Sequence, residues 1–97
     1  MNYGEATPHG KRFPWLEITC GELAGYSGSE RPICDECLKS LVGVDNIALV
    51  PILNEAFCPE CAPKRLSGLR RYPGDRAVEE RRTRFWLNYF GIGGTEP

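Results

Sequence analysis

Cys34-Asp35-Glu36-Cys37 and Cys58-Pro59-Glu60-Cys61, twenty residues apart, decide the fold of this chain. Two C-x2-C pairs at about this separation have the spacing of a zinc site. Each C-x2-C turn aims two sulfurs at one point. Two such turns supply four thiolates at tetrahedral angles, which a d10 ion with no geometric preference accepts. The expected cofactor is one structural Zn2+, held by Cys34, Cys37, Cys58 and Cys61.

Around this cluster, 97 residues are enough for one domain. A core of that size leaves a domain marginally stable, and a structural metal adds on the order of 10–16 kcal/mol of apparent binding energy that counts toward folding. The middle of the chain should therefore unfold when chelated. Five cysteines, an odd number, fit a metal plus one spare better than a disulfide framework. Residues 1–10 hold no apolar run of signal-peptide type. The longest apolar run, Ile47 to Leu53, is far too short to span a bilayer. The expected location is the cytoplasm, where thiols stay reduced and clustered cysteines signify metal.

The formal net charge of −1 hides a segregation. Residues 1–61 carry four basic and nine acidic side chains, whereas residues 62–90 carry eight basic and three acidic ones. Four thiolates on Zn2+ would lower the net charge by two, to about −3.

Residues 1–10, with Gly4, Pro8 and Gly10, read as a flexible arm. Residues 12–20 alternate apolar side chains at Leu16, Ile18 and Cys20, a short strand on which Cys20 packs as a small hydrophobe. Residues 21–32, rich in Gly and Ser, read as a loop. Ile47 to Leu53 reads as a buried strand that Pro51 demotes to an edge or a bulge. A helix is expected from Pro63 until Gly68, since proline suits a first helical position. After a linker at 70–74, Asp75 is a good N-cap for a helix to Phe90, closed by Gly91. On that helix Val78, Phe85 and Tyr89 form one stripe, widened by Trp86 and Phe90, with Arg82 inside it. Arg76–Glu80 and Glu80–Arg84 are i,i+4 pairs that support it modestly. The resulting division is a flexible arm (1–10), a zinc-binding domain (11–70), a basic amphipathic C-terminal helix (71–91) and a flexible tail (92–97).

The order of knuckle, hairpin-like segment and second C-x2-C leading into a helix resembles a treble-clef zinc finger. It is also similar to a zinc ribbon, in which both pairs cap hairpins. The resemblance covers about residues 30–70 and rests on Ile33-Cys34-Asp35-Glu36-Cys37 and Phe57-Cys58-Pro59-Glu60-Cys61-Ala62. It implies a structural class: α+β, a small zinc-stapled domain of short β-strands. Both types favour glycine after the second knuckle cysteine, where this chain has Leu38 and Ala62.

Four protein thiolates close the coordination sphere, whereas a catalytic zinc needs an open position. There is no H-x-E motif of deaminase type, and His9, the only histidine, sits in the arm as a solvated residue. A nucleophilic triad would have to use it, so hydrolase chemistry has no support. Gly91-Ile92-Gly93-Gly94 opens no helix and carries no dinucleotide signal. The chain is expected to be no enzyme, with no small-molecule substrate.

The C-terminal helix interleaves arginines with rings. Arg81, Arg82, Arg84, Phe85, Trp86 and Tyr89 are the expected partner-binding residues. Arginine with aromatics is the composition of protein interface hot spots. It also binds nucleic acid, guanidinium on phosphate and ring on base. It can equally be plain core, with rings inward and arginine stems over the surface. Asp35, Glu36 and Glu60 at the knuckles would repel phosphates, and an acidic half beside a basic half suits a charge-complementary protein. The favoured reading is an adaptor or inhibitor module docking on a larger protein, one that processes nucleic acid included. The alternative is a nucleic-acid-binding protein using the arginine face.

Overall fold

Leu16 and Ile18, the alternating residues of the first predicted strand, are fully buried on β2 (Phe13–Ile18) in a computed structural model that describes residues 2–28 and 31–91. The fold is α+β. A four-stranded antiparallel sheet of order β1-β2-β3-β4 carries β1 (Asn2–Ala6), β3 (Ile47–Val50) and β4 (Glu55–Phe57) beside β2. The helices are α1 (Cys20–Ser27), α2 (Ala62–Ser67) and α3 (Asp75–Phe90). Among the described residues, no helix is long and apolar enough to cross a membrane.

The expected arm is not one. Asn2–Ala6 is the edge strand β1, paired with β2 in the register Tyr3↔Leu16 and Gly4↔Trp15, and a 3-10 turn (Pro8–Gly10) follows it. Gly4 makes the pairing possible, because a Cβ there would come within 2.9 Å of the Trp15 ring that lies against it. His9 is exposed within the turn. Met1 and the tail expected at 92–97 lie outside the described residues.

The expected loop at 21–32 is also corrected. Thr19 Oγ1 accepts the Glu22 N–H at 3.1 Å, and Glu22 Oε1 accepts the Thr19 N–H at 2.9 Å. This reciprocal capping box starts α1, and Gly28, in the left-handed region at φ 74°, ends it. Cys20 therefore opens a helix instead of continuing a strand; it is half-buried and packs against the core. Ser29 and Glu30, within the expected loop, lie outside the described residues.

The predicted strand Ile47–Leu53 is divided. β3 stops at Val50, Pro51 begins a turn, and Asn54 at φ 56° donates its N–H to the Val50 carbonyl at 2.7 Å before β4 starts. β3 is paired on both sides and buried at all four positions, so it is a central strand and no edge. Together with Phe13, Leu41, Phe57, Leu69 and Trp86 it forms the core, which the buried sulfurs of Cys34 and Cys58 adjoin.

α3 spans the predicted residues, with two corrections. Its N-cap is Gly74, at φ 91°; Asp75 is the first helical residue and uses its carboxylate to accept the Tyr72 N–H at 2.8 Å. The inward face is turned one residue from the predicted stripe: Glu79 and Trp86 are its buried residues, while Phe85 and Tyr89 are half exposed. Hydropathy misses this because Glu79 is charged. Arg71 allows its burial, donating to Glu79 Oε1 from Nη2 at 2.7 Å and from Nε at 3.0 Å. Of the two predicted i,i+4 pairs, Arg76–Glu80 forms on the exposed side at 3.2 Å.

Candidate metal centre

Cys34, Cys37, Cys58 and Cys61 are brought together as their spacing predicts. Their sulfurs all lie within 4.8 Å of one another, and this cluster could hold a metal ion. Two local structures aim them. In the first, the chain doubles back through an isolated bridge between Ile33 and Ser40, with the Cys34 N–H donating to the Lys39 carbonyl and the Leu38 N–H to the Cys34 carbonyl, both at 2.9 Å. Closing this knuckle puts Leu38 in the left-handed region at φ 64°, where glycine is usual. In the second, β4 delivers Cys58, and Cys61 is the N-cap of α2, so this pair sits on a helix N-terminus. The Cys61 and Ala62 N–H groups both turn back to the Cys58 carbonyl, at 3.1 and 2.9 Å.

The two halves are tied beyond the sulfurs. Asp35 joins the first pair to Ala56 of β4 by two hydrogen bonds. Arg65 of α2 lies over the Phe57 ring, 5.1 Å from its centroid, and ion-pairs with Glu36 at 3.5 Å and Glu55 at 3.4 Å. The knuckle acids Asp35 and Glu36 are thus engaged in holding the site together.

Cys37 and Cys58 sulfurs are 3.9 Å apart, nearly twice a disulfide bond and close to the edge of about 3.8 Å that a tetrahedron with metal–sulfur bonds of about 2.3 Å would have. Cys34 Sγ accepts the N–H groups of Glu36 and Cys58, each at 3.4 Å. Burial pushes the Cys34 thiol up, but the N–H donors of Cys37, Cys58 and Glu36 outweigh it and bring it down to about 7. Cys61 is pushed up to about 12, first by burial and then by its hydrogen bonds to the other three sulfurs and the negative charge of Cys34. These N–H donors favour the thiolate form of Cys34. Four such ligands would leave an ion no open position.

The predicted partner residues divide into two groups. Arg81 and Arg84 are exposed, and Phe85 and Tyr89 are each 48 % exposed. Trp86, at 3 % exposure, is a core residue whose indole N–H donates to Asn54 Oδ1 at 3.1 Å. Arg82 is half-buried, and its Nη1 donates to the Ile52 carbonyl at 3.0 Å and the Pro51 carbonyl at 3.3 Å. These two side chains clamp α3 onto the β3–β4 turn, so they are removed from the contact face.

Tyr26 is the residue that the sequence reading missed. Its ring, carried by α1, meets Trp86 at 4.5 Å, Tyr89 at 5.3 Å and Phe85 at 6.0 Å between centroids, each edge to face. Together Tyr26, Phe85 and Tyr89 make a half-exposed aromatic face across α1 and α3. The capping box at Thr19-x-x-Glu22 was the available signal for α1, and hence for Tyr26.

Comparison of the chain with protein-family models, curated proteins and solved structures finds no match.

Proposed function

We propose that the four cysteines hold one structural Zn2+ in a treble-clef arrangement and that the domain is a non-enzymatic docking module, an adaptor or inhibitor of a larger protein. An all-sulfur donor set suits zinc or iron, and the 3.9 Å sulfur separation accommodates either ion; zinc is the reading because the two C-x2-C pairs have zinc-site spacing. The treble-clef reading rests on Cys61 capping α2, since a ribbon would carry both pairs on hairpins. Metal analysis of the purified chain tests the ion. One zinc per chain is expected; stoichiometric iron overturns the assignment.

The observation that carries the docking role is the aromatic face. Tyr26, Phe85 and Tyr89 leave about half of each side chain in water on α1 and α3, with the exposed Arg81 one turn before Phe85 on α3. Clustered tyrosine, phenylalanine and arginine are the residues that carry binding energy at protein interfaces. The partner this face fits is a protein with an apolar pocket and an acidic rim. Affinity capture with wild-type and Tyr89→Ala chains tests it. A specific protein retained by the first and lost by the second, at equal thermal stability, supports the role. Equal retention by both sinks it.

A further inference from the structure

Glu79 and Arg71, a paired carboxylate and guanidinium, both line one groove. Glu79 is 3 % exposed, and Oε1 receives both hydrogen bonds from Arg71, but Oε2 is buried with no hydrogen-bond partner. Folded proteins rarely leave a buried carboxylate oxygen in that condition. Arg71 itself is fully engaged: Nη2 also donates to the Arg12 carbonyl, and the guanidinium lies 4.2 Å from the centroid of the Phe13 ring.

Glu79 lines a groove of about 1140 Å³ bounded by β1, the start of β2, the turn before α3 and α3 from Arg76 to Leu87. Within it Arg71 cancels Glu79 and Arg76 cancels Glu80. Lys11, Arg12 and Arg84 also line it and, among the described residues, make no ion pair; the acid left to face them is Glu5, whose carboxylate accepts the Tyr3 hydroxyl at 3.2 Å. The groove thus keeps two positive charges in excess. Its rim offers two rings, Tyr72 and Tyr3, at 65 % and 45 % exposure.

We propose that this groove binds a nucleoside phosphate, free or as one unit of a single strand. A phosphate dianion matches the two surplus charges and meets Lys11, Arg12 and Arg84. A flat base stacks on Tyr72 or Tyr3, as bases do on exposed aromatics in single-strand grooves. A phosphopeptide shares the phosphate but brings no flat base for Tyr72.

Calorimetric titration of the full chain at low salt tests this, with AMP, GMP, CMP, UMP, inorganic phosphate, a phosphoserine peptide and a short single-stranded oligonucleotide. Binding of the nucleotides with Kd below about 1 mM, tighter than inorganic phosphate, is expected. Lys11→Ala and Arg84→Ala, both at exposed side chains, should each weaken it several-fold at unchanged Tm. Glu79→Gln, which leaves Arg71 uncancelled, should tighten phosphate binding; if that variant does not fold, the two surface variants decide. Tighter binding of the oligonucleotide than of any mononucleotide assigns the groove to a strand, and equal binding to the free nucleotide. No nucleotide binding, stronger binding of the phosphopeptide, or wild-type affinity in Lys11→Ala and Arg84→Ala overturns the proposal.

Discussion

Asp35 holds Ala56 by both of its backbone polar groups: its carboxylate Oδ2 accepts the Ala56 N–H at 2.7 Å, and its own N–H donates to the Ala56 carbonyl at 2.9 Å. A residue between the first two cysteines is thereby fastened to the strand that delivers the third. Ala56 is buried, so these bonds form away from water.

Asp35→Ala should therefore cost more than an ordinary surface change. It strands the Ala56 N–H, a loss of about 1–3 kcal/mol. Urea unfolding with excess metal present would measure it. Asp35→Asn keeps an oxygen acceptor and should recover most of the loss; identical destabilisation by both variants would show that the hydrogen bond is not the cause.

Metal binding should weaken as pH falls, because the ligands are thiolates. The two displaced thiols set how. Cys34 stands near 7 in the metal-free cluster, so it gives up a proton on binding below about pH 7 and little above it. Cys61, near 12, gives up a proton throughout the working range. A plot of log affinity against pH, from competition with a chelator, should rise with pH and lose about one proton of slope on passing through 7. Cys58→Ser and Cys61→Ser should remove the ion and unfold the middle of the chain, seen as lost dispersion in the NMR spectrum. An intact, metal-loaded Cys58→Ser protein would refute the ligand assignment.

Leu38→Gly should stabilise the domain. Leu38 is 67 % exposed and sits at φ 64°, so glycine would lose little packing and relieve the left-handed backbone. That relief is about 1–2 kcal/mol, against about 0.5–1 kcal/mol for glycine's extra freedom when unfolded, a net gain of about 0.5–1 kcal/mol. A raised midpoint of chemical unfolding would confirm it, whereas a lowered one would mean that the exposed leucine packs in solution.

Asn54 serves Trp86 through its side chain and the β3–β4 turn through its φ of 56°. Two substitutions separate these roles. Asn54→Gly keeps the turn and loses the acceptor, costing about 1 kcal/mol; Asn54→Ala loses both and should cost about 1–2 kcal/mol more. Equal stability of the two variants would exclude backbone strain at this position.

The cysteine cluster was legible because cysteine spacing is local information: two turns, each four residues long, aim their sulfurs whatever the rest does. Helices α2 and α3 were legible from Pro63, Gly68 and Gly91. The face of α3 was not, because a one-dimensional stripe counts apolar residues, whereas the buried face is organised around Glu79, whose partner Arg71 lies eight residues away. β1 was hidden for a related reason. Asn2–Ala6 carries little hydrophobicity of its own, and its place in the sheet depends on the Trp15 ring lying against Gly4. Helix α1 was hidden behind its glycines, though Thr19 and Glu22 announced it. In the first two misses the deciding contact joined residues that sequence patterns treat separately.

The bonds from Asp35 have a consequence for solubility. β4 is the last strand of the sheet, and its outer margin is the kind of unpaired backbone on which another chain can add a strand. At Ala56 that margin is taken by the knuckle, and the knuckle is held in place by the cysteine cluster. If the cluster holds an ion as proposed, removing it would uncover a strand ending in the buried Phe57, and aggregation, instead of reversible unfolding, is the fate to expect of the stripped chain at high concentration.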